Sequence, residues 1–287
     1  MKKGIYKNIT FEDYTEIEAL NASTLKPYLA SPLHGLEREF EEFSDTPALQ
    51  LGRWVHEAVL EGTNWAQRSV CWEGGRRAGK AWDAFQMEHE GKHILKPEEF
   101  EKVQRIQEAI YQHDAAEDLI FGEDILFYLP DAELTVVGDV NGTLAKARLD
   151  VWDKLRGLIV DLKTTAKLEH EGQIRHSIEA YGYDLQAAWY WDVLASVLGL
   201  DDAEFRFSFV FVCTSAPYDV AVVNMDPLWL EIGREKYQTS MTARAAAMDA
   251  RTGGYRPDGR FKEPIDLVPL AVGLDMAGVE VEELELV

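Results

Sequence analysis

Apolar residues first recur at helical spacing behind Thr46-Pro47, where Leu51, Trp54, Val55, Ala58 and Val59 stand at i, i+3, i+4, i+7 and i+8. Proline at the first helical position and Gly62 past the last apolar residue bound this helix. Asn21 to Ala30 predicts a shorter helix with a polar start. Residues 65–72 read as a strand and 74–80 as a Gly- and Arg-rich loop. Helices follow at 81–90 and 98–113, the second with Phe100, Val103, Ile106 and Ile110 on one side. From residue 123 the pattern changes: 123–164 predicts a β-meander turning at Pro130-Asp131, Asn141-Gly142 and Lys154 to Gly157. A long helix over 177–198 ends near Gly199, strands at 204–213 and 218–224 flank Pro217, and a helix at 227–250 stops near Gly253-Gly254. This order predicts a mixed α/β layer fold rather than a regular βαβ repeat. One domain is expected over residues 1–252, followed by an acidic tail over 253–287. The last ten residues, GVEVEELELV, hold four glutamates and no basic residue, and read as a frayed tail, an edge strand or a subunit contact.

Composition narrows the function. Of 287 residues 46% are hydrophobic, enough for a sizeable core. Lys plus Arg number 29 against 51 Asp plus Glu, a net charge of −22, which excludes indiscriminate binding to nucleic acid or anionic membrane. Any DNA must be held at a local basic site. Residues 142–167 are such a candidate, with Lys146, Arg148, Lys154, Arg156, Lys163 and Lys167 against three aspartates. Cys71 and Cys213 are too few for a disulfide framework or a Cys-ligated iron–sulfur cluster. No apolar run approaches the ~20 residues of a membrane span. Lys2 and Lys3 have no apolar stretch behind them, so no signal peptide is read and a reducing cytoplasm is expected.

The sharpest chemical feature is a hairpin. A turn centred between Leu155 and Arg156 gives paired residues an index sum of 311, which sets Asp150 opposite Asp161. Directly opposed Cβ atoms are ~4.5–5.5 Å apart, so the two carboxylates repel unless a cation lies between them. Lys163 shares a face with Asp161 and Ile159, while Leu158, Val160 and Leu162 take the other. Clustered oxygen ligands suit Mg²⁺ or Mn²⁺, and Lys163 then orients the attacking water or steadies the transition state. The plain alternative is a surface ion pair between strands. On an exposed face, Lys163 is expected to matter to rate and little to folding. Elsewhere, Gly74 to Lys80 is a near-miss for a phosphate-binding loop, because Ala81 stands where Ser or Thr is needed. Arg76, Arg77 and Lys80 are instead candidates for DNA-phosphate contacts, or for a solvated loop.

Asp150 followed by Asp161-Leu-Lys163-Thr-Thr resembles the active-site hairpin of the PD-(D/E)xK nuclease superfamily. Gly52-Arg-Trp-Val-His56 resembles the GxxxH helix of RecB-like and RecE-like members, and Gln186-Ala-Ala-Trp-Tyr190 their QxxxY motif. Gln186 and Tyr190 share a helix face. Further resemblance to RecE-type exonucleases lies in Asn21-Ala-Ser-Thr-Leu-Lys26, Ser31-Pro32, Ala48 to Gly62, Arg76 to Lys80, and Lys96 to His113-Asp-Ala-Ala, spanning about residues 12–250. It implies a restriction-endonuclease-like α/β core: a mixed sheet with the antiparallel catalytic hairpin, flanked by helices. It further implies a Mg²⁺-dependent exonuclease, with Mn²⁺ able to substitute, degrading linear double-stranded DNA 5′ to 3′ and leaving 3′ single strands. His56, Asp150, Asp161 and the Leu162 carbonyl would hold the metal, Lys163 would activate water, and Gln186 and Tyr190 would lie near the metal and the DNA backbone. A ring-shaped homo-oligomer, such as a tetramer, and a single-strand annealing recombinase as partner are implied in the same way. A RecB-like endonuclease or single-strand nuclease, and an inactive acidic scaffold or DNA mimic, are the alternatives.

Overall fold

In the computed structural model, which describes residues 1–41, 44–122 and 128–253, the chain opens with a short strand, Gly4–Tyr6 (β1). Small helices follow at Phe11–Glu16 (α1), Ala22–Leu25 (α2) and Pro32–Phe40 (α3). Pro47–Leu60 (α4) is capped by the Thr46 side chain, as the sequence predicts. Gly62 does not end the helical region. It begins Gly62–Arg68 (α5), and only Ser69–Cys71 (β2) of the predicted strand 65–72 is extended. Trp65 decides this: on a helix it reaches the apolar cluster beneath α4 and stacks on His93 at 5.7 Å. Beyond the loop come Lys80–Glu88 (α6), His93–Leu95 (β3), Pro97–Tyr111 (α7) and Asp114–Phe121 (α8), the last absent from the sequence reading. The start of the predicted meander, 123–127, lies outside the described residues, and β4 covers Asp131–Val140. Thr143–Asp153 (β5) follows a turn in which Asn141 and Gly142 both have positive φ, 53° and 77°.

After Leu158–Thr165 (β6) the single predicted helix 177–198 is two, Glu171–Ala180 (α9) and Tyr183–Leu198 (α10). Gly182, in the left-handed region with φ 60°, makes the break. Phe207–Cys213 (β7), Val220–Asn224 (β8) and Leu228–Thr252 (α11) complete the fold. The tail after Gly253 lies outside the described residues.

One sheet has the order β1-β4-β5-β6-β7-β8, with β6 and β7 parallel and the other pairs antiparallel. Strand β7 shows how two cores form. Phe207, Phe209 and Phe211 pack under α10 and α11 with Trp189 and Trp191, whereas Val210 and Val212 pack under α4 and α7 with Val55, Ala58 and Ile106. A strand buried on both faces reads as continuously apolar, which is the pattern of FSFVFVC. Helix α11 lies close against α10: a Cβ at Gly233 would stand 2.3 Å from the Asp184 carbonyl oxygen and 2.6 Å from Ala188 Cβ. Gly233→Ala must therefore push the helices apart, and is expected to cost about 1–3 kcal/mol. Urea denaturation reads this directly; an unchanged midpoint would contradict the close approach.

Candidate active site

Strands β5 and β6 separate where the chemistry lies. The index sum of 311 holds for Asp153 with Leu158, Trp152 with Ile159 and Val151 with Val160, and the ladder ends there. Asp150 and Asp161 would form the next pair. Asp150 Oδ2 instead accepts a hydrogen bond from the Leu162 amide at 2.8 Å, a carboxylate standing in for a ladder carbonyl.

On its other side β5 pairs with β4 at a constant sum of 283, from Asp131 with Trp152 to Val140 with Thr143, but Glu133 and Asp150 are skipped. Glu133 has φ 52°, a strained value for a side chain of this kind. The alternation of β5 slips at this point. Ala145, Ala147 and Leu149 join the core under α10, and Val151 joins the core under α4. The kink turns Glu133 and Asp150 toward His56 on α4, and one ligand atom from each of the three lies within 4.8 Å of the others. Glu133 is a site residue that the sequence reading missed, since simple alternation places it on an ordinary strand face.

Each group is perturbed by its neighbours. Burial opposes charge on His56, but Asp150, with Oδ2 3.4 Å from Nδ1, outweighs it and carries the imidazole pKa up to about 9. Burial raises Asp150 too, yet His56, Lys163 and the Leu162 amide hold it below the ordinary carboxylate value. Asp161 goes the other way: burial lifts it to about 6 against the pull of Lys163. Glu133 is raised by burial and by Asp150. Lys163 forms an ion pair with Asp161 Oδ1, and its ammonium lies 4.9 Å from the Tyr183 ring centroid and 5.7 Å from that of Phe209. Its side chain is only 14% exposed, so the expectation of an exposed-face lysine is corrected: a lysine beside a buried carboxylate is drawn inward by it. Gln186 Nε2 donates to Asp161 Oδ2 at 2.9 Å, and Lys26 Nζ donates to Gln186 Oε1 at 2.7 Å.

The donors fit a hard divalent cation. An imidazole nitrogen and the Glu133 and Asp150 carboxylates converge, and Asp161 Oδ1 is buried without a hydrogen bond, in contact with the Lys163 ammonium. Asp161 itself lies outside the convergent trio. Gly52 lets α4 come close to β6: a Cβ there would stand 3.3 Å from Thr164 Oγ1.

The remaining predicted residues scatter. The Leu162 side chain is buried under α4. Tyr190 is half-buried one turn beyond Gln186, and burial followed by the charge of Asp161 pushes its hydroxyl pKa well up. Arg77 is bound to Glu99 and, at 2.7 Å, to the Ile94 carbonyl, whereas Arg76 and Lys80 are exposed. The basic run of residues 142–167 does not form one groove. Lys146 is buried and donates to the carbonyls of Tyr14, Thr15 and Ile17. Arg148 holds Glu133, and Arg156 holds Asp118 and Asp153. Cations taken out of water require acceptors, and these acceptors lie in different places.

The family model described as "PDDEXK-like domain of unknown function (DUF3799)" matches residues 21–256. Among solved structures, a candidate exonuclease from Eubacterium rectale is similar, with a TM-score of 0.61 at 16% identity, over 96% of this chain and 100% of that one. A phage-related exonuclease from Haemophilus somnus 129PT has a TM-score of 0.36 at 12% identity, over 83% of this chain and 99% of that one. No curated protein matches the chain.

Proposed function

The chain belongs to the family of PDDEXK-like domains DUF3799, and from that premise we propose that it is a Mg²⁺-dependent exonuclease of the RecE type. It degrades linear double-stranded DNA 5′ to 3′ and leaves 3′ single strands for annealing. The observation that carries the reading is the convergence of His56, Glu133 and Asp150 beside the Asp161–Lys163 pair. His56, Glu133, Asp150 and Asp161, with the Leu162 carbonyl, would hold the metal. When bound, a divalent ion supplies charge to a phosphate oxygen and acidifies water.

The chain's own groups do the rest. Asp161 holds the Lys163 ammonium over two aromatic faces, so its donors are limited in direction. Lys163 orients the attacking water and stabilises charge building on the phosphate. Water adds to phosphorus and gives up a proton, and the bond from phosphorus to the 3′ oxygen of the terminal nucleotide breaks. That oxygen takes up a proton and leaves as a 3′-hydroxyl, and the phosphate stays as the new 5′ end of the retained strand. Gln186 keeps Asp161 in place, while exposed Arg76 and Lys80, rather than Arg77, meet the DNA backbone. Domain extent to residue 252, a ring-shaped homo-oligomer, an annealing recombinase as partner and residence in the cytoplasm belong to the same proposal. Among the described residues no helix is long and apolar enough to cross a membrane.

Linear duplex labelled at the 5′ or the 3′ end tests this reading, with Mg²⁺ or EDTA and beside closed circular DNA. Early release of the 5′ label, from linear DNA and with metal only, is expected. Cutting of circles would replace exonuclease by endonuclease, and no cleavage with Mg²⁺ or Mn²⁺ would leave the inactive scaffold.

A further inference from the structure

A second lysine stands behind the site. Lys26 opens the short 3₁₀ helix Lys26–Leu29, far from β6 and α10 in sequence, yet its ammonium reaches Gln186 on α10. It also lies 5.0 Å from the centroid of Tyr183, the ring that Lys163 approaches from β6. Gly182 lies beside it: a Cβ there would stand in ordinary contact, 3.4 Å from Lys26 Cγ. None of the roles assigned above uses this residue.

Its chemistry defines what it does. The Gln186 amide has one accepting end and one donating end, and it sits between a carboxylate and an ammonium. A carboxylate only accepts and an ammonium only donates. One orientation satisfies both: Oε1 toward Lys26 and Nε2 toward Asp161. The flipped amide would set oxygen against oxygen at Asp161 and donor against donor at Lys26. With Oδ2 taken by Gln186, Oδ1 is the atom left for Lys163 and the reacting centre.

We propose that Lys26 is a positioning residue, which fixes the Gln186 amide so that Asp161 presents Oδ1 to Lys163 and to a divalent ion. The inference rests on the nuclease reading for its rate effect, but not for its effect on metal binding. Mn²⁺ titration followed by electron paramagnetic resonance, on the full chain without DNA, therefore keeps the two apart. Lys26→Met is expected to weaken Mn²⁺ binding and to lower kcat, each about 10–100-fold, the range for partners that orient metal ligands. KM for DNA should stay the same. Lys26→Gln keeps an N–H donor and is expected to recover most of the loss. In a Gln186→Met background Lys26→Met should add nothing, because the two act through one bond. Wild-type Mn²⁺ affinity in Lys26→Met, equal loss in the Met and Gln variants, or a full additional loss in the Gln186→Met background would each overturn the proposal. If the wild type cuts no DNA, the nuclease reading fails and the Mn²⁺ comparison still decides the role of Lys26.

Discussion

Lys163→Met is expected to lower the rate of DNA cleavage about a thousandfold or more, equivalent to ~4 kcal/mol of transition-state stabilisation. Methionine is the better replacement here. It keeps apolar contact with the Tyr183 and Phe209 rings and removes only the ammonium. The substitution leaves Asp161 buried without its cation, a break that costs about 3–5 kcal/mol when the pair is fully desolvated. The 14% exposure of Lys163 and the Gln186 amide on Asp161 place the expected loss below that range. Circular dichroism and urea denaturation on the same preparation separate the two effects. A folded Lys163→Met protein that cleaves at the wild-type rate would remove Lys163 from the chemistry. A folded protein that binds labelled duplex as the wild type does, yet does not cut it, is the outcome expected.

Glu133→Gln is the second large effect. Glutamine keeps the length and can still accept the hydrogen bond from Arg148, but it takes one negative charge from the trio with His56 and Asp150. Mn²⁺ affinity is expected to fall about 100-fold, at the upper end of what lesser changes around metal ligands produce. The rate should recover partly as metal concentration rises, which distinguishes it from Lys163→Met, where added metal restores nothing. The competing role for Glu133 is structural, as the partner of Arg148, whose Nη1 donates to the Ile9 carbonyl at 2.8 Å. In that case the loss would appear in thermal stability, with metal affinity unchanged.

Much of the site was legible because its parts are local. Asp161 and Lys163 share a face through strand periodicity, Gln186 and Tyr190 share one through helical periodicity, and Thr46-Pro47 announces the helix that carries His56. Asn141-Gly142 mark the turn about which β4 and β5 pair. These features depend on residues within a few positions of one another, where backbone sterics act. The family resemblance rests on the same short motifs.

Other features were not written locally. The break at Gly182 is hidden in the sequence because the apolar positions run on through it, and the basic run of residues 142–167 suggests a groove its side chains do not form. Glu133 was invisible because its role comes from the dropped pair with Asp150, a kink that alternation does not encode. Lys26 lies within the Asn21–Lys26 motif but gains a role only where the fold sets it against Gln186, 160 positions away. The amino-acid sequence by itself determined most of the elements, the hairpin turn and the acidic and basic residues it carries, since these follow from periodicity, turn preference and residue type. Tertiary structure decided which charges meet. A buried ion must find its partner wherever packing brings one, and that partner stands at no fixed spacing along the chain.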